Sequence, residues 1–269
     1  WGLYLVHHQR WVVSASDNNA GERLAQEYRS LLPMGMRKFF ARRFAQRQVR
    51  RLPYLFSVAS QDHHDPQMDQ ALSPPSRDGF PETGGLLEAS WIRLMQGLDN
   101  LLKMQPWLFG ECCTLADLAL YGQLAINLDD PSSARTMMQR YPVVYEWLHQ
   151  IRHGTYPAHN PLARPEARDC LQPLLTEVCR THIPLMQQNY RAYVRMRDNG
   201  QTLFNEAAFN KNEALYNGEI DGQVFRAVAK SFQYQVWRRC CQRWRGLNSE
   251  HKKQLATLHP DFTDAMFQQ

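Results

Sequence analysis

Apolar positions recur every three or four residues along most of this chain, and that spacing predicts helices almost throughout. Residues 1–13 (WGLYLVHHQRWVV) read as an apolar helix carrying His7 and His8. Ser14 to Asn19 is a polar break, where Asp17 or Asn19 caps a second helix over about 20–32. Beyond Pro33 and Gly35, residues 36–51 are amphipathic, with Met36, Phe39, Phe40, Phe44 and Val49 on an inward side and arginines around the rest; Pro53 stops this helix. Between Ser57 and Gly85 the periodicity disappears under Asp, His, Pro, Ser and Gly, which predicts a long surface loop. Leu87, Trp91, Leu94, Met95, Leu98, Leu101 and Leu102 then mark a strong helix over 86–104.

The next stretch, PWLFGECCTLADLALYGQ at 106–123, organises the region around it. A short apolar knot, Trp107-Leu108-Phe109, is closed by Gly110, and Thr114 with Asp117 three residues on reads as a capping box. Leu115, Leu118, Ala119, Tyr121, Gly122 and Ala125 leave almost every face apolar, so the expected helix is a buried central one. Asp130-Pro131 opens a short helix over 132–140 and Tyr141-Pro142 another over 143–153. A Pro-rich connector (154–168) leads to a helix over 170–197 bent at Pro184. A small hairpin with an Asn217-Gly218 turn follows, then helices over 225–247 and from a Ser249 cap to about His259. No repeat is evident, and the fold class is all-α.

Composition narrows the picture. Of 269 residues 43% are apolar, with many aromatics, which excludes disorder over most of the length. No apolar run approaches the ~20 residues of a membrane span. No secretory signal pattern is evident at the start. Trp1 reads as the inside of a helix, so more chain is expected before it. The six cysteines (Cys112, Cys113, Cys170, Cys179, Cys240, Cys241) include two adjacent pairs and form no C-x-x-C motif. They read as core thiols of a reduced protein, and the expected location is cytoplasmic.

The net charge of +5 is concentrated: Arg37, Lys38, Arg42, Arg43, Arg47, Arg50 and Arg51 occur with no acid among them. Such a helix can bind nucleic-acid phosphates or an anionic membrane. With its aromatics turned inward, it reads first as a solvated basic face for an acidic partner, so nucleic acid and membrane are not the expected partners. Asp62-His63-His64-Asp65 has metal-capable side chains, but adjacent residues in an unstructured loop do not converge, and no metal is expected. Cys113 precedes a helix N-terminus, which lowers a thiol pKa, but the apolar knot beside it favours a core cysteine. No nucleophile elbow, P-loop or H-E-x-x-H occurs.

The order of parts from 86 to 152 resembles the C-terminal helical domain of cytosolic glutathione transferases. That family carries a Ser/Thr-x-x-Asp capping box after a glycine turn, here Thr114 and Asp117, and soon afterwards a helix marked here by Pro142 and Trp147. Trp1 to Val13 resembles the helix that opens that domain. The resemblance implies a glutathione-transferase C-terminal-like bundle at 1–153, holding the loop 57–85, with a mainly helical extension at 154–269 packed on it. It also implies a thioredoxin-like domain upstream to hold glutathione as co-substrate, and it leaves a homodimer open. No βαβ pattern of that kind occurs in this chain. Tyr4, His7, His8 and Trp11, joined by Tyr121, would line the hydrophobic co-substrate pocket; otherwise the two histidines are surface residues at a domain interface. Two function classes follow. One is the helical part of a transferase-like enzyme, inactive without the other domain. The other is a non-catalytic scaffold or interaction module binding a protein or an anionic partner through the basic helix 36–51, with Arg42, Arg43, Arg47, Arg50 and Arg51, or through the extension.

Overall fold

A computed structural model describes residues 1–14, 33–60, 72–155, 160 and 162–268; the expected helix over 20–32 and the acid–histidine cluster at 62–65 lie outside the described residues. The described chain is mostly helical, with one two-stranded sheet. It divides into two compact units, Trp1–Pro165 and Glu166–Gln269.

In the first unit, α1 (Gly2–His8) runs into a wide π turn (Gln9–Val13), followed by α2 (Met34–Arg50) and α3 (Gly84–Met104). Then come α4 (Leu115–Leu124) with a 3-10 turn (Ala125–Leu128), α5 (Pro131–Arg140) and α6 (Pro142–His153). The centre is α3, whose Leu86, Leu87, Met95, Leu98 and Leu101 are wholly buried and which packs against α1 and α6. Each such side chain contributes about 1.5–3 kcal/mol by leaving water. Asp99, on the same helix and itself buried, accepts from the Val143 backbone N–H (3.1 Å) at the start of α6. Lys103 Nζ, 2.6 Å away, balances its charge. Asp130 caps α5 by accepting from Ser132 and Ser133 N–H, and α6 ends on Gly154 at φ +67°.

Two expectations about helix faces fail. Helix α4 is not a buried central helix: Leu115 is 84% and Leu118 50% exposed, and only Asp117 and Leu124 are buried within it. On α2 the phenylalanines do not turn inward. Ala41, Ala45 and Val49 are buried against Trp11 and Leu52, while Phe39, Phe40 and Phe44 are exposed. Small side chains let this helix approach the bulky indole closely, so the large ones fall outside. The loop region 57–85 is fastened where its ends meet. Val58 N–H donates to Thr83 Oγ1 (3.0 Å), Thr83 N–H to Val58 O (3.1 Å), and Ala59 N–H to Pro75 O (3.2 Å).

In the second unit, α7 (Gln172–Glu177), a π turn (Val178–His182) and α8 (Ile183–Asp198) form one run. Pro184 cannot supply the N–H that would bond to the carbonyl four residues back, and the wide turn lies just before it. After α9 (Glu206–Asn210), β1 (Leu215–Ile220) pairs antiparallel with β2 (Gln223–Val228); α10 (Ser231–Arg245) and α11 (Ser249–Leu258) follow. The hairpin exists, but its turn is Asp221-Gly222, both at positive φ (52° and 75°), not Asn217-Gly218. Gly218 lies within β1, where any Cβ would collide with the Gln188 side chain and the Phe225 ring. The pairing of 223–228 also delays the helix expected from Phe225 to Ser231, and Asn248, not Ser249, caps α11. Cys179, Ile183, Met186, Trp237 and Cys241 form the core here.

Candidate functional site

Helix α1 and the π turn after it carry four of the five expected pocket residues, and the structure spends three of them on packing. Tyr4 is buried, its ring stacked on Phe56 (centroids 5.4 Å, planes 6° apart). Trp11 is buried among Ala41, Ala45, Val49 and Leu52. His8, only 2% exposed, faces Ser57 Oγ through Nδ1 (2.8 Å) and Glu88 Oε1 through Nε2 (3.3 Å). That hydrogen bond holds the Glu88 carboxyl below its usual range against the opposing effect of burial. His7 is partly buried, its Nδ1 3.0 Å from Leu3 O. Burial pushes its pKa down, and the nearby charges of Arg51 and Arg10 add to this against the Leu3 bond. Among the described residues, residues 41–57 and α3 cover much of 1–13: Phe56 meets Tyr4, Ser57 and Glu88 meet His8, and Ala41, Ala45, Val49 and Leu52 surround Trp11. Tyr121 is partly buried on α4 and hydrogen-bonds Arg152, which also forks onto Asp129 (2.9 and 3.0 Å) and donates to Ala125 O (2.9 Å). That set fastens the end of α4 to α6.

The Thr114–Asp117 box is present, and its reach is longer than spacing alone indicates. Asp117, wholly buried, accepts from Thr114 N–H (2.8 Å) and Thr114 Oγ1 (2.7 Å) through Oδ2, and from Leu108 N–H (2.7 Å) through Oδ1. From the other side Gln105 Nε2 donates to Trp107 O and Leu108 O, both at 2.9 Å. The apolar knot is therefore tied to α4 and to the end of α3, with Gly110 making the turn at φ +84°. Cys113 beside the cap is no activated thiol: burial first, then the Asp117 charge, raise its pKa. A groove of about 550 Å³ opens next to this knot between Gln105, Pro106, Pro142, Glu146 and Trp147. None of the expected site residues lines it.

What sequence reasoning missed are two surfaces. One is the outer side of α4, where Leu115, Leu118 and Ile126 are exposed among Ala116, Ala119 and Gly122. Helix α1 packs beside α4, with Gly2 near Gln123, and its Leu3 is 47% exposed. The other is α2, where Met36, Phe39, Phe40 and Phe44 are exposed on the helix that carries Arg42, Arg43, Arg47 and Arg50. Phe39 and Phe40 meet edge to face at 5.8 Å. Among the described residues no helix is long and apolar enough to cross a membrane.

No family model matches this chain, and comparison with curated proteins and with solved structures finds no match.

Proposed function

We propose that the first unit is a glutathione-transferase C-terminal-like domain that works by docking a second domain, and that it does not itself form a substrate pocket. The observation that carries this is the contrast between two helices. Tyr4 of α1 and Trp11 of the π turn that continues it are consumed in the core, while Leu115 and Leu118 of α4 stand in solvent. Covering those two leucines alone is worth about 2–4 kcal/mol, enough to hold a domain tethered in the same polypeptide. The partner in this reading is an upstream thioredoxin-like domain. It would bind glutathione and lower its thiol pKa, so that the thiolate attacks an electrophilic carbon and expels a leaving group. This chain would contribute architecture, and no residue of it is assigned to catalysis.

The test has two arms on the chain as it is. Glutathione-agarose should not retain it and an aryl-halide conjugation assay should show no turnover; measurable turnover overturns the reading. A fluorescent apolar dye should bind, and Leu118→Glu should abolish most of that signal with little change in unfolding midpoint. A midpoint that collapses in Leu118→Glu would mean that the face is core and has no vacancy for a partner.

The exposed phenylalanines of α2 favour a second reading, an anionic partner held by that helix. Aromatic rings between arginines suit single-stranded nucleic acid, whose bases stack while the guanidinium groups meet phosphates. Binding of a fluorescent oligonucleotide that survives ~0.3 M salt and is lost in Phe39→Ser/Phe40→Ser would support it; binding lost equally in a charge-only variant with both rings intact would reduce it to diffuse attraction.

A further inference from the structure

In the second unit, three side chains of different chemistry meet although the sequence places one of them at least eighty residues before the other two. Cys179, in the π turn after α7, places Sγ 3.6 Å from His259 Nδ1. Asp261 Oδ2 lies 3.7 Å from the same nitrogen, and the three ligand atoms fall within 4.8 Å of one another. We propose that Cys179, His259 and Asp261 are three ligands of a zinc ion, with a fourth position open to water.

The spacing suits that ion. With Zn–S about 2.3 Å and Zn–N or Zn–O about 2.0–2.2 Å, a tetrahedral site has an S···N edge of about 3.5 Å and an N···O edge of about 3.4 Å. The observed 3.6 and 3.7 Å lie close to both. The remaining sulfur–carboxylate edge closes by rotation of Asp261, whose side chain is 60% exposed and free to turn. The donor set of thiolate, imidazole and carboxylate suits zinc, whereas calcium and magnesium take oxygens.

The surroundings prepare the histidine. The Asp261 backbone N–H donates to His259 Nδ1 (3.3 Å), so that nitrogen carries the lone pair and Nε2 the proton. Thr176 Oγ1, 3.2 Å from Nε2, accepts that proton and fixes the ring. A hydrogen bond to the remote nitrogen is the usual support of a metal-bound histidine. The backbone N–H and the thiol proton both yield when the ion enters, the thiol proton leaving to solvent. Cys179 and His259 are 8% and 6% exposed, so the ion would sit at the edge of a dry pocket with Asp261 on the solvent side. A π turn, a rare feature, supplies the sulfur, and such turns gather at functional sites. Gln172 Nε2, bonded to Leu258 O, fastens the His259 segment to α7.

The test is a cobalt(II) titration of the whole chain after chelator treatment. A thiolate-to-cobalt charge-transfer band and tetrahedral visible bands should grow to saturation at one equivalent, and zinc should bleach both. Cys179→Ser should abolish the charge-transfer band. Asp261→Asn, at a side chain 60% exposed, should keep the band but weaken binding at least about tenfold. The proposal fails if wild-type chain shows no such band, if zinc does not bleach it, or if it persists in Cys179→Ser. It also fails if Asp261→Asn, with an unchanged circular dichroism spectrum, binds as tightly as wild type.

Discussion

Replacing Asp117 by alanine separates a simple helix cap from a tertiary fastening. A cap residue alone is worth about 1 kcal/mol. Asp117 does more, because its two oxygens serve the N–H of Thr114 in its own helix and that of Leu108 in the preceding knot. Leu108 is buried, so its N–H would lose a charged acceptor with no water to replace it. Such an orphaned donor costs about 1–3 kcal/mol, towards the upper end for a charged partner, and the less buried Thr114 N–H adds about 1. Relief of the buried carboxylate's own desolvation offsets part of this. The expected cost of Asp117→Ala is therefore about 3 kcal/mol. Asp117→Asn keeps one acceptor but turns an NH₂ towards a donor, for about 2 kcal/mol. Thr114→Ala loses the bonds its hydroxyl accepts from the backbone N–H of Ala116 (3.2 Å) and Asp117 and the donation to the Asp117 carboxylate, for about 1 kcal/mol. Urea unfolding followed by circular dichroism measures the order, provided m is unchanged. Amide exchange adds a local readout: the Leu108 amide should lose protection in Asp117→Ala and keep it in Thr114→Ala. Equal costs for the two alanine variants, or a Leu108 amide indifferent to Asp117, would refute the reasoning.

Two further perturbations bear on α1. Trp11→Ala opens a cavity against Ala41, Ala45 and Val49 and should cost about 3–5 kcal/mol by urea unfolding; a cost under about 1 kcal/mol would return Trp11 to an open pocket wall. Glu88 has a depressed pKa in the folded chain, so its contribution is present above the ordinary carboxylate range and is lost as pH falls through the folded value. Glu88→Gln should therefore be the less stable at pH 7, by at most about 1 kcal/mol for so exposed a carboxylate, and should match wild type in strong acid. A gap that persists in acid would assign the loss to packing.

Much of the fold is written in local pattern. The capping box, Pro131 and Pro142 in first turns and the apolar spacing of α3 each act within a few residues, and the structure keeps all of them. Which face of a helix turns inward is a different matter, because it depends on the partner. The period of α2 fits burial of its phenylalanines as well as burial of Ala41 and Ala45. Only the bulk of Trp11, more than twenty-five residues away, selects the alanines. On α4 every face is apolar, so the periodicity carries no direction at all. In the same way, Asn217-Gly218 is a good turn in isolation, but the packing of Gln188 and Phe225 over Gly218 requires it inside a strand.

The same logic bears on the residues expected to line a pocket. Tyr4, His8 and Trp11 look like pocket residues because aromatic and imidazole side chains suit ligands, but they suit cores equally once Phe56, Ser57 and Glu88 meet them. Cys179 and His259 carried no signal, since neither belongs to a spaced motif and their contact depends on the chain returning after α11 to the π turn. Leucines that face water cost exposed apolar area, and a thiol and an imidazole held together in a dry site cost desolvation that their mutual contact offsets only in part. Both costs disappear on binding, which is why the exposed side of α4 and the Cys179 cluster, rather than the aromatic residues of α1, are where occupants are to be sought.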